Sequence, residues 1–267
     1  MAMDARCFAT LLFRANSGGN FSEHERMVQL WANRMLHFTS LPVYVMYAGL
    51  VNASSVLQRA DPFGRLRLWR VELLDLATNN TIGKYRWSWT KLHAWRLPCQ
   101  RLALFDYDGF LAQAADSIFD ACGESAELCA SKEIWSPAGL GRDAGTRRRD
   151  YFNSGVLVLR PSNATFARLL EAATLERQRG AKRKIGEQDF LNVAFPEWRE
   201  INASYNVQGG AWRQEGLATW TRSGRAHFVH ERIGRHPPAF ERRLTCRPRP
   251  TPECTAGRDA FGCCRDL

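Results

Sequence analysis

The sequence predicts an α/β domain with a mostly parallel central sheet flanked by helices, and three observations predict it. Short apolar runs of strand length alternate with segments of helical spacing, the pattern of crossover-connected strands. One run, Leu102–Phe105, ends directly in Asp106-Tyr107-Asp108. It thereby delivers two carboxylates to the C-terminal rim of the sheet, where open α/β sheets bind ligands. The 267 residues suffice for one sizeable domain and are too few for two comfortable ones.

In chain order, Cys7–Phe13 is an apolar run between Arg6 and Arg14 with no small-residue cleavage site after it. Phe8–Phe13 therefore reads as a first strand and not as a signal peptide. Ser22-Glu-His-Glu25 is a capping box, and Met27, Leu30, Trp31 and Arg34–Leu36 continue a helix. Val43–Tyr47 is strand-like, Ala53–Arg59 reads as a short helix and Leu66–Val71 as a strand. Trp87–Leu97 has helical spacing, with Trp87, Lys91 and Trp95 on one side. Ser136–Asp150 is rich in Gly and Arg and reads as a loop. Val156–Leu159 is a strand, Asn163–Arg179 a helix capped near Ser162, and Glu187–Phe195 a further helix. After about Pro237 the composition turns to Pro, Arg and Cys. The chain thus divides into a domain over 1–240 and an irregular Cys/Pro/Arg-rich tail over 241–267.

Composition narrows the function. The 37 basic and 27 acidic side chains give a net charge of +10, which favours anionic partners such as a sugar diphosphate or a membrane surface. Arg147-Arg-Arg149, Lys182-Arg-Lys184 and Arg242-Arg243 read as solvated basic runs. No nucleic-acid recognition motif accompanies them, which argues against nucleic acid. No apolar stretch is long enough for a membrane span.

Asp106 and Asp108 are hard oxygen ligands one residue apart. They suit Mn²⁺ or Mg²⁺, ions usually shared with substrate phosphates. The motif alone has two owners. Phe105-Asp-Tyr-Asp-Gly109 resembles the opening motif of haloacid-dehalogenase-type phosphatases, whose first Asp is a nucleophile. Phe110 stands where that family has Thr or Val, and about a hundred residues precede the motif instead of a few. The other owner is the metal-binding Asp-x-Asp of nucleotide-sugar glycosyltransferases.

Four further segments decide between them. Phe152-Asn153-Ser154-Gly155 is followed by an apolar strand and Arg160-Pro161. Thr90-Lys91-Leu92-His93-Ala94-Trp95 precedes the Asp-x-Asp strand, Gly186-Glu187-Gln188-Asp189-Phe190-Leu191-Asn192 opens a helix, and His227-Phe228 follows later. In this order, over roughly residues 8–238, the chain resembles the glycogenin-like glycosyltransferases of family eight.

The resemblance implies a GT-A nucleotide-diphospho-sugar transferase fold, with residues 1–240 as the catalytic domain and Asp116–Phe119 as the short helix after the metal strand. It implies Asp106, Asp108 and His227 as ligands of Mn²⁺ (or Mg²⁺). It puts Leu11, Lys91, Asp106, Tyr107, Asp108, Ser154, Gly155 and Gly234 at donor-binding positions. Asn153, Glu187 and Gln188 become the groups around the transferring sugar, and Glu133 loosely matches an acid near the acceptor. The expected activity is metal-dependent, retaining transfer of a hexose or pentose from a UDP-sugar to a separate glycan, protein or lipid. A self-glucosylating primer, a phosphatase and a non-catalytic binding domain are the alternatives.

Departures from the family fall at defined places. Thr10-Leu-Leu-Phe-Arg14 replaces Thr-Leu-x-Thr-Asn, and Glu187 replaces Asp. No Lys precedes Pro237, so Arg235 or His236 takes over that phosphate contact. Tyr205 matches a scaffold position, and no acceptor Tyr is evident nearby.

Compartment is a separate signal. Asn-x-Ser/Thr occurs at Asn20, Asn52, Asn79, Asn163 and Asn202, where about one is expected by chance from the Asn and Ser/Thr content. Cys122 and Cys129 bracket a short polar loop, and Cys246, Cys254, Cys263 and Cys264 crowd the tail. Disulfides in an oxidising lumen explain both groups, with a zinc knot as the alternative for the tail. The expectation is a Golgi or ER lumen, with an anchor outside this sequence; the cytoplasm is the alternative.

Overall fold

The computed structural model describes residues 3–14, 21–52, 65–77, 86–133, 151–179, 186–208 and 226–230. Ala53–Arg59, Ser136–Asp150, Gly234 and the tail with its four cysteines lie outside the described residues, as do Asn20 and Asn79.

The large sheet has seven strands. They are β1 (Asp4–Arg14), β2 (Val43–Gly49), β3 (Leu66–Val71), β4 (Cys99–Phe105), β6 (Leu128–Lys132), β7 (Phe152–Leu159) and β8 (Arg199–Glu200), in the order β3-β2-β1-β4-β7-β6-β8. β3, β2, β1 and β4 are mutually parallel, β7 runs antiparallel to both β4 and β6, and β8 is parallel to β6. One reversed strand in an otherwise parallel sheet fits the expectation of a mostly parallel α/β fold. A small second sheet joins β5 (Phe110–Leu111), β10 (Phe228–His230) and β9 (Val207–Gln208), with β10 in the middle.

Alternation along the strands splits the core into two layers. Cys7, Ala9, Leu11, Leu102, Leu104, Leu157 and Leu159 face one side. That side is covered by a 3-10 segment (Ser88–Arg96), by α3 (Asn163–Gln178) and by α4 (Glu187–Ala194), through Trp89, Trp95, Leu169, Phe190 and Leu191. Phe8, Ala103, Phe105, Val156 and Val158 face the other side. There they meet Trp31 and Met35 of α1 (Phe21–Phe38), Ile118 and Phe119 of α2 (Ile118–Cys122), and Phe228. Each fully buried Leu or Phe contributes about 1.5–3 kcal/mol. Covering both faces explains why the central strands read as continuous apolar runs.

Two local readings are corrected, and one bridge is added. α1 begins at Phe21, so Ser22 is already inside the helix and not its cap. Trp87–Leu97 forms a 3-10 helix and not an α-helix, and Trp89 to Trp95 are all buried. With three residues per turn and burial on all sides, the expected shared face of Trp87, Lys91 and Trp95 disappears. Trp87 is half-buried and Arg86 lies over its ring. Finally, Cys7 pairs with Cys99 across β1 and β4, a bridge with no signature in the spacing. Cys122 pairs with Cys129, consistent with the loop they bracket. The expected cap of α3 is present: Ser162 Oγ accepts from Thr165 N–H at 3.3 Å. At Gly49, φ is 72° and a Cβ would run into the Arg14 carbonyl, so only glycine ends β2 there.

Candidate active site

β4 ends at Phe105, and Asp106 is the next residue, at the C-terminal rim of the sheet. Its N–H donates to the Gly155 carbonyl on β7 at 2.8 Å, so the turn that follows is fixed against the neighbouring strand. Tyr107, in that turn, holds its hydroxyl 2.6 Å from His24 Nδ1 on α1. Asp106 Oδ2 and Asp108 Oδ1 lie 3.6 and 3.3 Å from His230 Nε2. Ligand atoms of Asp106, Asp108 and His230 all fall within 4.8 Å of one another. Two carboxylates and one imidazole converging in this way match the donor set of a Mn²⁺-type site with positions left for phosphate oxygens. Burial works against a charged His230, but the hydrogen bond and charge of Asp108, with Asp106 behind it, raise the imidazole above its ordinary pKa. A cation would take the place of that proton.

His230, and not His227, is therefore the histidine brought to the carboxylates. His227 stacks on Tyr205, with ring centroids 4.4 Å apart, and its Nδ1–H donates to the Ala114 carbonyl at 2.5 Å. The reason is strand alternation. β10 begins at Phe228, whose ring packs on Phe105 at 4.9 Å, and His230 shares its face while His227 is turned the other way. Gly155 makes room for this ring: a Cβ there would collide with the His230 imidazole and with Asn153 Oδ1. The signal for His230 was the second histidine of His227-Phe-Val-His230, which motif matching passed over.

Lys91 comes from the 3-10 segment. Its ammonium sits 2.8 Å from Asp106 Oδ1 and 3.8 Å from Glu187 Oε2, and donates to the Ser154 carbonyl at 3.4 Å. Burial opposes its charge, yet Asp106 and Glu187 together raise its pKa. Glu187 is only 4% exposed, and burial pushes its carboxyl up to about 7 against the pull of Lys91. Its Oε2 accepts from Ser154 Oγ at 3.2 Å, and its Oε1 is a buried oxygen with no hydrogen-bond partner among the described residues.

Beside this ion cluster lies a network of amides. Ser154 N–H donates to Gln188 Oε1 at 2.9 Å, and Gln188 Nε2 donates to Glu133 at 3.0 Å. Asn153 Nδ2 donates to the same Glu133 oxygen at 2.7 Å, while its Oδ1 accepts from Gly155 N–H at 2.9 Å. Asn206, fully buried, donates to Asn153 Oδ1 at 2.9 Å and meets His230 Nδ1 at 3.1 Å. α4 is aimed by two side chains. Asp189 accepts from Gly186 N–H at 3.0 Å and from the Tyr151 hydroxyl at 2.7 Å, so it serves as a helix-start charge. Asn192 bridges Phe152 N–H and carbonyl at 2.8 and 3.0 Å, which ties α4 to β7.

The structure thus groups Asp106, Asp108, Lys91, Glu133, Asn153, Ser154, Gly155, Glu187 and Gln188 and adds His230 and Asn206. Leu11 lies within β1 with its side chain packed in the core. Asn206 carried no motif of its own beyond following Tyr205.

Residues 113–230 match the model of glycosyl transferase family 8. Among curated proteins, glycogenin-1 of Caenorhabditis elegans is 28% identical over 150 residues, 54% of this chain and 30% of that protein. Galactinol synthase 1 of Solanum lycopersicum is 31% identical over 101 residues, 38% of this chain and 28% of that protein. The chain thus spans about 30% of the length of the curated relatives it matches. Among solved structures, the galactosyltransferase LgtC in complex with donor and acceptor sugar analogs superposes with a TM-score of 0.63 at 14% identity, covering 84% of this chain and 86% of that one. Mouse xyloside xylosyltransferase 1 gives 0.55 at 13% identity, covering 88% and 100%. At such identities the likeness is one of fold.

Proposed function

We propose that this chain, whose residues 113–230 match the model of glycosyl transferase family 8, is a member of that family and a metal-dependent, retaining glycosyltransferase that moves a sugar from a UDP-sugar to a separate glycan, protein or lipid acceptor. One observation carries the reading. Asp106, Asp108 and His230 offer ligand atoms within 4.8 Å of one another, beside the Asn153 and Gln188 amides. The bound cation would neutralise the departing diphosphate. Lys91 adds a buried positive charge behind Asp106. The unpartnered Glu187 Oε1 offers an acceptor for a donor-sugar hydroxyl. Gln188 sets an oriented dipole near the reacting carbon, where positive charge develops. The sugar side joins amides, which make poor nucleophiles, to two carboxylates already engaged by other groups, Glu133 by Asn153 and Gln188 and Glu187 by Ser154 and Lys91. Front-face return through an ion-pair-like intermediate is part of the proposal by resemblance to the family.

The test is a donor-hydrolysis screen over UDP- and GDP-sugars with Mn²⁺ and with chelator. Turnover of one UDP-sugar that stops on chelation supports the reading. Absence of turnover together with absence of Mn²⁺ and UDP binding sinks it.

Similarity to glycogenin-1 favours one second reading, a self-glucosylating primer. Tyr205 is a poor acceptor for it, since the residue is 7% exposed and its hydroxyl lies 2.8 Å from Ser117 Oγ. Mass spectrometry after incubation with UDP-glucose alone separates the two, because a ladder of added hexoses favours the primer.

A luminal location belongs to the same proposal. The Cys7–Cys99 and Cys122–Cys129 bridges and the exposed sequon residues Asn52, Asn163 and Asn202 support it. Endoglycosidase sensitivity of the natively expressed protein tests it, and an unglycosylated protein with eight titratable thiols would refute it.

A further inference from the structure

Of the Asn-x-Ser/Thr sites, those at Asn52, Asn163 and Asn202 lie among the described residues, and their surroundings differ. Asn202 is engaged: its Oδ1 accepts from Ser204 N–H at 2.9 Å and caps the turn that leads to Tyr205 and Asn206. Asn52 follows β2 on the rim that carries Asp106, since β2 and β4 both run parallel to β1. Asn163 is exposed, and its side chain makes no hydrogen bond with any described residue. It opens α3, yet Ser162 caps that helix by taking the Thr165 N–H at 3.3 Å, so the cap does not need the Asn163 amide. β7 runs antiparallel to β4 with Leu159 beside Leu102, so the chain enters α3 at the rim away from Asp106.

A groove of about 530 Å³ lies beside this first turn. That falls within the range of about 300–1,000 Å³ usual for small-molecule sites. Ala164 and Thr165, the other two residues of the sequon, line it together with Arg168 of α3. Phe195 and Trp198 line it from the segment after α4. Trp198 is half-buried, and its ring meets Phe152 edge-on at 5.3 Å. Arg168 lies over the Phe195 ring at 5.6 Å and pairs with Glu127, also in the lining, at 3.2 Å. Aromatic surface beside a guanidinium and a carboxylate suits a sugar, which has an apolar C–H face and a rim of hydroxyls. Side chains of a helix tilt toward its N-terminus, so a substituent on Asn163 leaves over the turn whose next two residues line the groove.

We propose that Asn163 carries an N-linked glycan whose first sugars seat in this groove against Trp198. The proposal rests on the luminal reading. Attachment joins Asn163 Nδ2 to the anomeric carbon of an oligosaccharide carried on a lipid diphosphate. The carbon–oxygen bond to the diphosphate breaks, the diphosphate leaves with the electron pair, and the amide gives up one proton. Seated there, the glycan covers an aromatic groove at the rim away from the active site.

The natively expressed full chain is treated with a glycan-releasing amidase in heavy-oxygen water, which leaves a labelled Asp at each occupied Asn, and its peptides are read by mass spectrometry. The groove is read by hydroxyl-radical footprinting of the intact glycoprotein, of the released protein and of Asn163→Gln. That variant removes the sequon at an exposed side chain without hydrogen bonds to described residues, so the fold should stay in place. The label is expected at Asn163. Oxidation of Trp198 should rise several-fold on release and be as high in Asn163→Gln, while the buried Trp31, Trp89 and Trp95 stay unreactive. Glycans at Asn52 or Asn202 with Asn163 bare would overturn the proposal and leave the luminal reading standing. So would an occupied Asn163 whose release leaves Trp198 equally reactive. Protection of Trp198 in Asn163→Gln that grows with protein concentration would give the groove to a second copy of the chain, and it overturns the proposal as well. A protein with no glycan at any sequon sinks the luminal reading and this proposal together.

Discussion

On the metal side of the site, the like-charged carboxylates of Asp106 and Asp108 crowd together beside the His230 imidazole, with partial exposure, 27%, 34% and 17% at their side chains. On the sugar side, Asn153, Gln188 and Asn206 engage both ends of their amides and Glu133 takes two N–H groups. The first side is poised for an addition, because a cation relieves the repulsion. The second is satisfied except at Glu187 Oε1, so at its amides a sugar hydroxyl can only enter by exchanging one hydrogen bond for another. The two sides should therefore fail differently: one through binding, the other through turnover.

The largest expected effect is on the metal side. Asp108→Asn should abolish Mn²⁺-dependent donor binding, read by calorimetry. Asp108 stands at a strand end outside the core, so melting without metal should barely move. If the variant instead unfolds, Asp108 is structural and the division between the sides is lost.

Gln188→Ala should act in the opposite sense. Donor affinity should stay within a few-fold, while turnover falls by about 10²–10³, or roughly 3–4 kcal/mol, the usual cost of one preorganised group. A variant with full turnover and weakened UDP binding would merge the two sides into one.

A sharper contrast comes from the two histidines. His230→Ala removes a direct ligand and should weaken Mn²⁺ by more than the about 10–100-fold typical of losing an outer-shell partner. His227→Ala should leave Mn²⁺ affinity unchanged and cost only stability, about 0.5–1.5 kcal/mol for its stack on Tyr205. Equal losses of Mn²⁺ in both would mean that β10 sits in a different register.

The smallest effect is a change of preference. Glu187→Asp shortens the reach by one methylene beside Lys91 and Ser154, so it should shift selection among donor sugars without abolishing transfer. An unchanged donor profile would place Glu187 off the sugar side.

Legibility in the sequence followed the length of each apolar run. β1, β2, β3, β4 and β7 were readable because six to eleven residues carry a pattern, and α3 because Ser162 caps it. β5, β8 and β9 have two residues each and β10 has three, too few for any period to show. That shortness is why the small sheet went unseen and why the histidine beside the carboxylates was placed at 227 and not at 230. Asp106, Lys91, Asn153 and Gln188 were legible because motifs attach to them. The role of Asn206 emerges only from the fold, which brings it to Asn153 at a separation of 53 residues. The 3-10 form of Ser88–Arg96 was hidden for another reason: its helical spacing is real, but burial on all sides removes the amphipathic stripe that would distinguish its pitch.

The Cys7–Cys99 bridge also bears on how the chain finds its fold. It closes a loop with a sequence separation of 92 residues, and that loop contains β2, β3 and α1. β1 and β4 are sheet neighbours, so pairing them requires the whole intervening segment to be looped out first, a slow search for a parallel pair. Once oxidised, the two strands remain tethered even in the unfolded ensemble. On the chain-entropy account a loop of this size is worth about 4.6 kcal/mol, a large share of a domain's typical 5–15 kcal/mol. The bridge would thus act as a memory of strand order, so that a chain unfolded with its bridges intact should refold faster than one unfolded and reduced.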